Sequence, residues 1–299
     1  MPAASLPRIA LTMGDPAGIG PEIVRLAMAD ARVREACDPV VYGPPDPSAF
    51  APGRLSAEAG RAAYDALVRA VDDALAHRVA AVATAPISKE AWALAGLPWR
   101  GHTDLLAHLT GAPHAAMMFY SRALRVVLAT VHVALASVPS LVTRHGLEAL
   151  VRLAAGELPR FGFPAPRLAV AGLNPHAGEH GVIGIEDEAV LRPAVEACRA
   201  DGIAVSGPFP ADTLFVRAVR GEFDAVVACY HDQGLIPIKL VAFGQAVNVT
   251  LGLPIVRTSV DHGTAFDIAG KGVADPGSLV EAILLAARLA DPRPGRTPA

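Results

Sequence analysis

Short apolar runs, each released into a polar turn bearing glycine or proline, recur along the chain and alternate with segments of helical period. Such runs, rich in valine, isoleucine and alanine without polar alternation, read as strands buried on both faces of a parallel sheet. Arg8 to Met13, Val40 to Tyr42 and Val79 to Ala83 predict the first three strands, and Ala115 to Tyr120, Leu124 to Thr130, Leu168 to Gly172 and Ala225 to Cys229 the next four. Helices are predicted over Glu22 to Ala31, Ala57 to Arg78, Arg144 to Leu158 and Leu279 to Leu289. The second places Leu67, Val71 and Leu75 on one face, as a helix lying on a sheet requires. Ser88 is set to cap a further helix. Pro44, Pro45, Pro47, Pro52 and Gly53 mark a loop. The pattern predicts an α/β protein with mostly parallel sheets.

The strand exits carry the chemistry. In open α/β sheets the residues just past the carboxyl ends of the strands face the ligand crevice. The densest exit is Tyr230-His231-Asp232-Gln233-Gly234-Leu235-Ile236-Pro237-Ile238-Lys239, which offers an imidazole, a carboxylate, an amide and a cation. His132 and His176 also stand just past predicted strands. Alone, each histidine reads as a structural residue satisfied by backbone; together, without a nearby cysteine, the three suit a catalytic divalent ion with an open position. Zinc fits that set, as does magnesium, manganese or cobalt completed by substrate oxygens. Gly101-His102-Thr103-Asp104 opens a helix at Leu105 and offers an anion site at its N-terminus, although Thr103 also reads as a plain N-cap. Asp212 is an N-cap or a site carboxylate, and Lys89, at a helix start, reads as solvated. Asn248 and Arg257 follow apolar residues and can grip a phosphate or carboxylate. The turn Gly14-Asp15-Pro16-Ala17-Gly18-Ile19-Gly20 admits close approach of a ligand to backbone, but its spacing is neither GxGxxG nor a Walker sequence. Asp261 to Gly272 forms a second glycine-bounded polar loop before the last helix.

Composition narrows the classes. A chain of 299 residues, 52% hydrophobic, can bury two α/β lobes, and a net charge of -3 with 5% aromatic residues argues against nucleic acid as a partner. The three cysteines, Cys37, Cys198 and Cys229, are dispersed and odd in number, which fits a reducing compartment. Met1 to Pro7 lacks the features of a signal peptide, and the longest uncharged run, Val126 to Val142, is broken by His132, Ser137, Pro139 and Ser140. The expectation is a soluble cytoplasmic protein without membrane contact, ending in a frayed tail from Asp291 to Ala299.

From about Leu11 to Leu289 the ordered motifs resemble the 4-hydroxythreonine-4-phosphate dehydrogenase family of pyridoxal phosphate biosynthesis. The pieces that carry the resemblance are Gly14 to Glu22, Gly101 to Asp104, Leu173 to Glu179, Pro210 to Thr213, Tyr230 to Lys239, Val247 to Thr258 and Asp261 to Gly272. The resemblance implies the two-lobed fold of isocitrate and isopropylmalate dehydrogenases, with lobes of about 1–130 plus 245–299 and 131–244 and the active site between them. It implies His132, His176 and His231 as metal ligands, and His102, Thr103, Lys239, Asn248 and Arg257 around a phosphorylated substrate. Lys239 and Asp232 become the catalytic candidates. Gly14, Asp15, Asp261, His262, Gly263, Thr264, Ala265 and Asp267 become the NAD or NADP site. It further implies a homodimer whose active site is completed across the interface, the third histidine, His231, coming from the partner. The implied reaction oxidises the C3 hydroxyl of 4-hydroxy-L-threonine 4-phosphate and releases carbon dioxide, leaving 3-amino-2-oxopropyl phosphate. Between Val41 and Ala57 the chain is shorter than the longer family members, and shorter relatives act on D-threonate or D-erythronate 4-phosphate. Relatives that oxidise aromatic cis-dihydrodiols alter the phosphate-holding residues, which are intact here. A zinc-dependent aldolase also uses three histidines and a phosphate pocket, but has no need of a dinucleotide loop.

Overall fold

The computed structural model describes residues 5–291, so most of the expected tail lies outside the described residues. The chain divides into two compact units, one running up to Ala115 and resuming at Val247, the other Ala116–Ala246. The first opens with β1 (Arg8–Thr12), α1 (Gly20–Ala29), α2 (Ala31–Ala36), β2 (Asp38–Tyr42), α3 (Ala57–Leu75), β3 (Ala81–Thr84), α4 (Lys89–Leu94) and α5 (His102–Thr110). The second holds β4 (Ala116–Tyr120), β5 (Arg125–Leu128), α6 (Val138–Leu141), α7 (Arg144–Glu157), β6 (Leu168–Ala171), α8 (Arg192–Ala200), β7 (Val205–Phe209), α9 (Ala211–Val219), β8 (Ala225–Ala228) and α10 (His231–Ala242). The chain then returns to the first unit with β9 (Val247–Leu251), β10 (Arg257–Ser259) and α11 (Gly277–Ala290).

In the first unit the strand order is β2-β1-β3-β10-β9, parallel except for the β10–β9 pair. Apolar residues of α1, α2 and α11 pack on one face, with Ile9, Leu11, Ala81 and Ala83 beneath them. The other face carries Ala10 and Val82 under α3 and the residues Trp92, Leu105 and Leu106 of α4 and α5. Burial on both faces explains why these strands are apolar throughout rather than alternating. In the second unit the order is β4-β5-β8-β6-β7, parallel except for the β4–β5 hairpin. There α9 and α10 cover Val126, Leu128, Ala169, Ala171, Val226 and Ala228. The expected α/β architecture with mostly parallel pairing is therefore observed.

Two caps differ from expectation. The helix predicted at Leu105 begins at His102 with Gly101 as its N-cap, so Thr103 lies inside the first turn. Helix α9 is capped by Pro210, which leaves Asp212 in its first turn with no capping role. Ser88 does cap α4, its hydroxyl accepting from Ala91 N at 3.1 Å.

Candidate active site

Register builds a polar cluster at the strand ends of the first unit. Thr12 pairs with Thr84, Thr84 with Ser259, and Ser259 with Asn248, a row across β1, β3, β10 and β9. Side chains two apart share a face, so Arg257 and Thr250 lie on the same side as that row. This is the face covered by Trp92, Leu105 and Leu106. A guanidinium is thereby carried into an apolar layer, and Arg257 is only 2% exposed.

Its partners are hydroxyls. Arg257 Nη1 donates to Thr250 Oγ1 at 3.0 Å and Nη2 to Thr84 Oγ1 at 2.8 Å, while Thr84 Oγ1 also bonds Ser259 Oγ at 2.8 Å. Nε is buried without a hydrogen-bond partner, and burial with no compensating carboxylate pulls the guanidinium down to about 9. Around it His102 Nε2, Asn248 Oδ1 and Thr12 Oγ1 are also buried and unpartnered. Unsatisfied buried polar atoms cost about 1–3 kcal/mol each, so such a cluster is suited to taking up a polar ligand.

His102 stacks edge-on against Trp92, ring centroids 6.0 Å apart. Burial, then the charges of Arg257 and Lys89, hold its pKa well below the ordinary histidine value. It therefore contributes a neutral hydrogen bond at neutral pH, not the positive charge that it could have supplied. Lys89, read as solvated from its place at a helix start, stands close enough to His102 to act on it electrostatically. Thr84, Thr250 and Ser259 went unremarked as site residues because a hydroxyl in an apolar strand has no signal of its own. Only register reveals them.

The two candidate nucleotide-binding segments meet. Ile19 N donates to Thr264 O at 3.0 Å, tying the turn 14–20 to the loop 261–272. Gly14 has φ +66°, and an added Cβ would collide with Pro86 O, so only glycine fits there. Asp15 is fully buried; Oδ1 accepts from Ala17 N at 2.9 Å, Oδ2 has no partner, and burial raises its pKa. Asp261 Oδ1 accepts from Ser278 Oγ at 3.0 Å, and His262 Nδ1 lies 3.0 Å from Gly263 O. Ala265 has φ +44°, while His262, Gly263 and Asp267 are exposed.

In the second unit the signature run follows β8 with Tyr230 as the N-cap and His231 as the first residue of α10. Gln233 fastens that end: Oε1 accepts from Cys229 N at 2.7 Å and Nε2 donates to Gly172 O at 2.7 Å. Asp232 Oδ1 lies 2.7 Å from His231 Nδ1, the carboxylate–imidazole pairing that fixes a ring and leaves Nε2 as donor to a metal. The His132 and His231 rings are 5.5 Å apart between centroids. Two neighbouring imidazoles suit a divalent ion, but among the described residues no third His, Cys, Asp or Glu joins them in a group able to hold one. His176 is exposed on its own turn after β6. Lys239, half-buried, lies two turns along α10 from His231, about 12 Å on axis.

A model of the family described as pyridoxal phosphate biosynthetic protein PdxA matches residues 22–286. The chain is 44% identical to a 4-hydroxythreonine-4-phosphate dehydrogenase of Desulforapulum autotrophicum, over 94% of this chain and 95% of that protein. It is 43% identical to a D-threonate 4-phosphate dehydrogenase of Cupriavidus necator, over 96% and 98% respectively. A solved 4-hydroxythreonine-4-phosphate dehydrogenase from Klebsiella pneumoniae superposes with a TM-score of 0.86 at 41% identity, covering 96% of this chain and 99% of that one. An isocitrate dehydrogenase from Methylococcus capsulatus, 20% identical with a TM-score of 0.51, covers 93% of this chain and 84% of its own and shares the fold alone.

Proposed function

The chain belongs to the PdxA family of pyridoxal phosphate biosynthetic proteins, and from that premise we propose that it is an NAD-linked dehydrogenase that oxidises and decarboxylates 4-hydroxy-L-threonine 4-phosphate. One observation carries the substrate class: Arg257, buried and uncompensated beside the unpartnered Nε2 of His102. A phosphate supplies the missing charge and acceptors at once. Its oxygens would take hydrogen bonds from Arg257 and His102, and from Thr103 in the first turn of α5, where the free amides of a helix N-terminus also face an anion. Asn248, through its amide NH2, is proposed for this set as well, and Lys239 is proposed as a substrate-binding residue from the family resemblance alone.

His132, His176 and His231 are the proposed holders of a divalent ion, zinc, magnesium or cobalt. When bound, that ion supplies Lewis acidity at the hydroxyl being oxidised. The chain's own residues orient the reaction. Asp232 holds the His231 ring, and Lys239 is the proposed proton carrier or charge neutraliser. The joined segments 14–20 and 261–272 are the proposed nicotinamide-nucleotide site, using Gly14, Asp15, Asp261, His262, Gly263, Thr264, Ala265 and Asp267.

A homodimer sharing its active site is part of the proposal. It is supported by exposed apolar side chains at Ile236 (60%), Leu240 (81%) and Phe243 (80%) on and beside α10; the approach of His132 to His231 within one chain, with His176 apart, is not the division of ligands that the resemblance implied. No helix among the described residues is long and apolar enough to cross a membrane, and a cytoplasmic location is proposed.

Absorbance at 340 nm tests the reading, with NAD or NADP, a divalent ion, and 4-hydroxythreonine 4-phosphate, D-threonate 4-phosphate or D-erythronate 4-phosphate. Chelator-sensitive reduction with the amino acid substrate is expected. Preference for a sugar acid, the second reading favoured by the Cupriavidus relative, moves the same site to sugar-acid catabolism. No reduction with any of the three defeats both.

A further inference from the structure

The turn that carries His176 is left-handed. φ is +54° at His176, +53° at Ala177, +77° at Gly178, +42° at Glu179, +55° at His180 and +94° at Gly181. L-residues enter this region singly, because Cβ crowds the following carbonyl. A run containing four non-glycine residues persists only where the surroundings over-determine it. Within the run, Ala177 N donates to Asn174 O at 3.0 Å and Ile183 N to Gly178 O at 3.0 Å, bonds that close the turn without fixing where it points.

The fixing group is Asp187. It is fully buried, and its carboxylate accepts from Leu173 N at 2.8 Å, Asn174 N at 3.0 Å and Asn174 Nδ2 at 2.9 Å. The second hydrogen of the Asn174 amide goes to Glu186 Oε2 at 2.8 Å. Asp187 also packs against the turn itself, Oδ2 lying 3.3 Å from where a Cβ on Gly178 would stand. The carboxylate is in turn placed by a five-residue turn, Asp187–Leu191, wider than an α-helix and closed by Arg192 N on Asp187 O. Pro193, which cannot donate, follows at once. A wide turn of this kind inside a helical segment frequently marks a functional site.

We propose that Asp187 is a positioning residue for His176: it pins the left-handed turn so that the imidazole is presented to the divalent ion. The inference rests on the donor set proposed above. A carboxylate is required because both of its oxygens accept; an amide in its place would turn an N–H towards the N–H of Leu173 or Asn174.

The test is titration of metal-free protein with Zn²⁺ against a chromophoric chelator, for wild type, His176→Ala, Asp187→Asn and the double variant, with amide exchange of residues 173–183 followed in parallel. Asp187→Asn is expected to weaken Zn²⁺ binding by about 10–100-fold, as loss of an outer-shell partner does. It should speed exchange across the turn and add nothing in the His176→Ala background. Asn174→Ala, which leaves the carboxylate in place but removes one link to it, is expected to weaken binding several-fold and keeps the test available if Asp187→Asn does not fold. Wild-type affinity in Asp187→Asn, or in a folded Asn174→Ala when the other is lost, overturns the proposal alone. Equal Zn²⁺ binding by wild type and His176→Ala overturns the donor-set reading, and the role of Asp187 with it.

Discussion

The first unit's anion cluster and the second unit's histidine turn both hold an unfavourable arrangement, but of different kinds. The Arg257 cluster is built on paired strands with ordinary backbone, and its cost is electrostatic: a desolvated charge held by neutral hydroxyls. The turn 176–181 leaves His176, Glu179 and His180 exposed to water, and its cost is torsional. A desolvated charge is relieved by a ligand of opposite sign. A strained backbone is not, and must be held by the protein in every state. The first arrangement suits recognition of an anion, the second the fixed placement of a side chain.

The largest expected effect separates recognition from stability at Arg257. Arg257→Met should lower kcat/KM for the phosphorylated substrate by about 10²–10³-fold, the loss of charge-assisted hydrogen bonds worth roughly 3–4 kcal/mol. The same change should raise the stability of the ligand-free protein by about 1 kcal/mol, because an uncompensated buried charge is removed. Steady-state kinetics and urea unfolding read the two effects. A variant that loses both activity and stability would show Arg257 to be a structural residue.

Next is His231→Ala, which should reduce chelator-sensitive turnover by at least about 10²-fold while leaving phosphate-dependent stabilisation intact, since the two clusters recruit different groups. Full turnover by this variant at trace metal would refute the ligand assignment.

Acid should discriminate the clusters as well. The folded-state pKa of His102 lies well below 6.5, so on acidification the unfolded chain takes up a proton that the folded chain refuses. Stability contributed by keeping His102 neutral is full above about 6.5 and is lost as pH falls from there towards the depressed folded value, by at most about 1.4 kcal/mol per pH unit. His102→Gln should flatten that limb of the stability profile measured by urea unfolding between pH 7 and pH 5. An unchanged slope would place the proton uptake elsewhere.

How much of this was legible in sequence depended on where a residue's role is written. Strands buried on both faces announce themselves as unbroken apolar runs, so β1, β3, β6 and β8 and the mostly parallel architecture could be read directly. His102, Asn248 and Arg257 were visible as polar groups following apolar residues. Their convergence was not, because it follows from the Ser259–Asn248 pairing of an antiparallel strand and the burial of Arg257 beneath α4 and α5. Thr84 and Thr250 became site residues only through that register. The Tyr230 to Lys239 run was expected as a strand exit and does follow β8, turning helical from His231 onward, where α10 tolerates the donor lost at Pro237. Nothing in Pro175 to Gly181 predicts successive left-handed residues, since four of those with positive φ carry side chains; the conformation comes from Asp187, which lies outside the turn it holds.

The smallest effect sharpens the torsional side of the comparison. Glu179, exposed with φ +42°, makes no side-chain bond that would explain its place, so its backbone strain can be removed without touching the imidazole. Glycine accepts that φ freely but loses more chain entropy on folding, about 0.5–1 kcal/mol, against a strain of about 1–2 kcal/mol. Glu179→Gly should therefore raise stability by roughly 0.5–1 kcal/mol and shift the thermal midpoint upward by a degree or two, with Zn²⁺ affinity unchanged. If stability rises but affinity falls, Glu179 helps to aim the turn and the strain is part of how His176 is placed. If stability falls instead, residue 179 is held by contacts rather than strained against them, and the torsional cost must be concentrated at Ala177 and His180, the other positive-φ residues of the turn that carry side chains and are not donors in the proposed set.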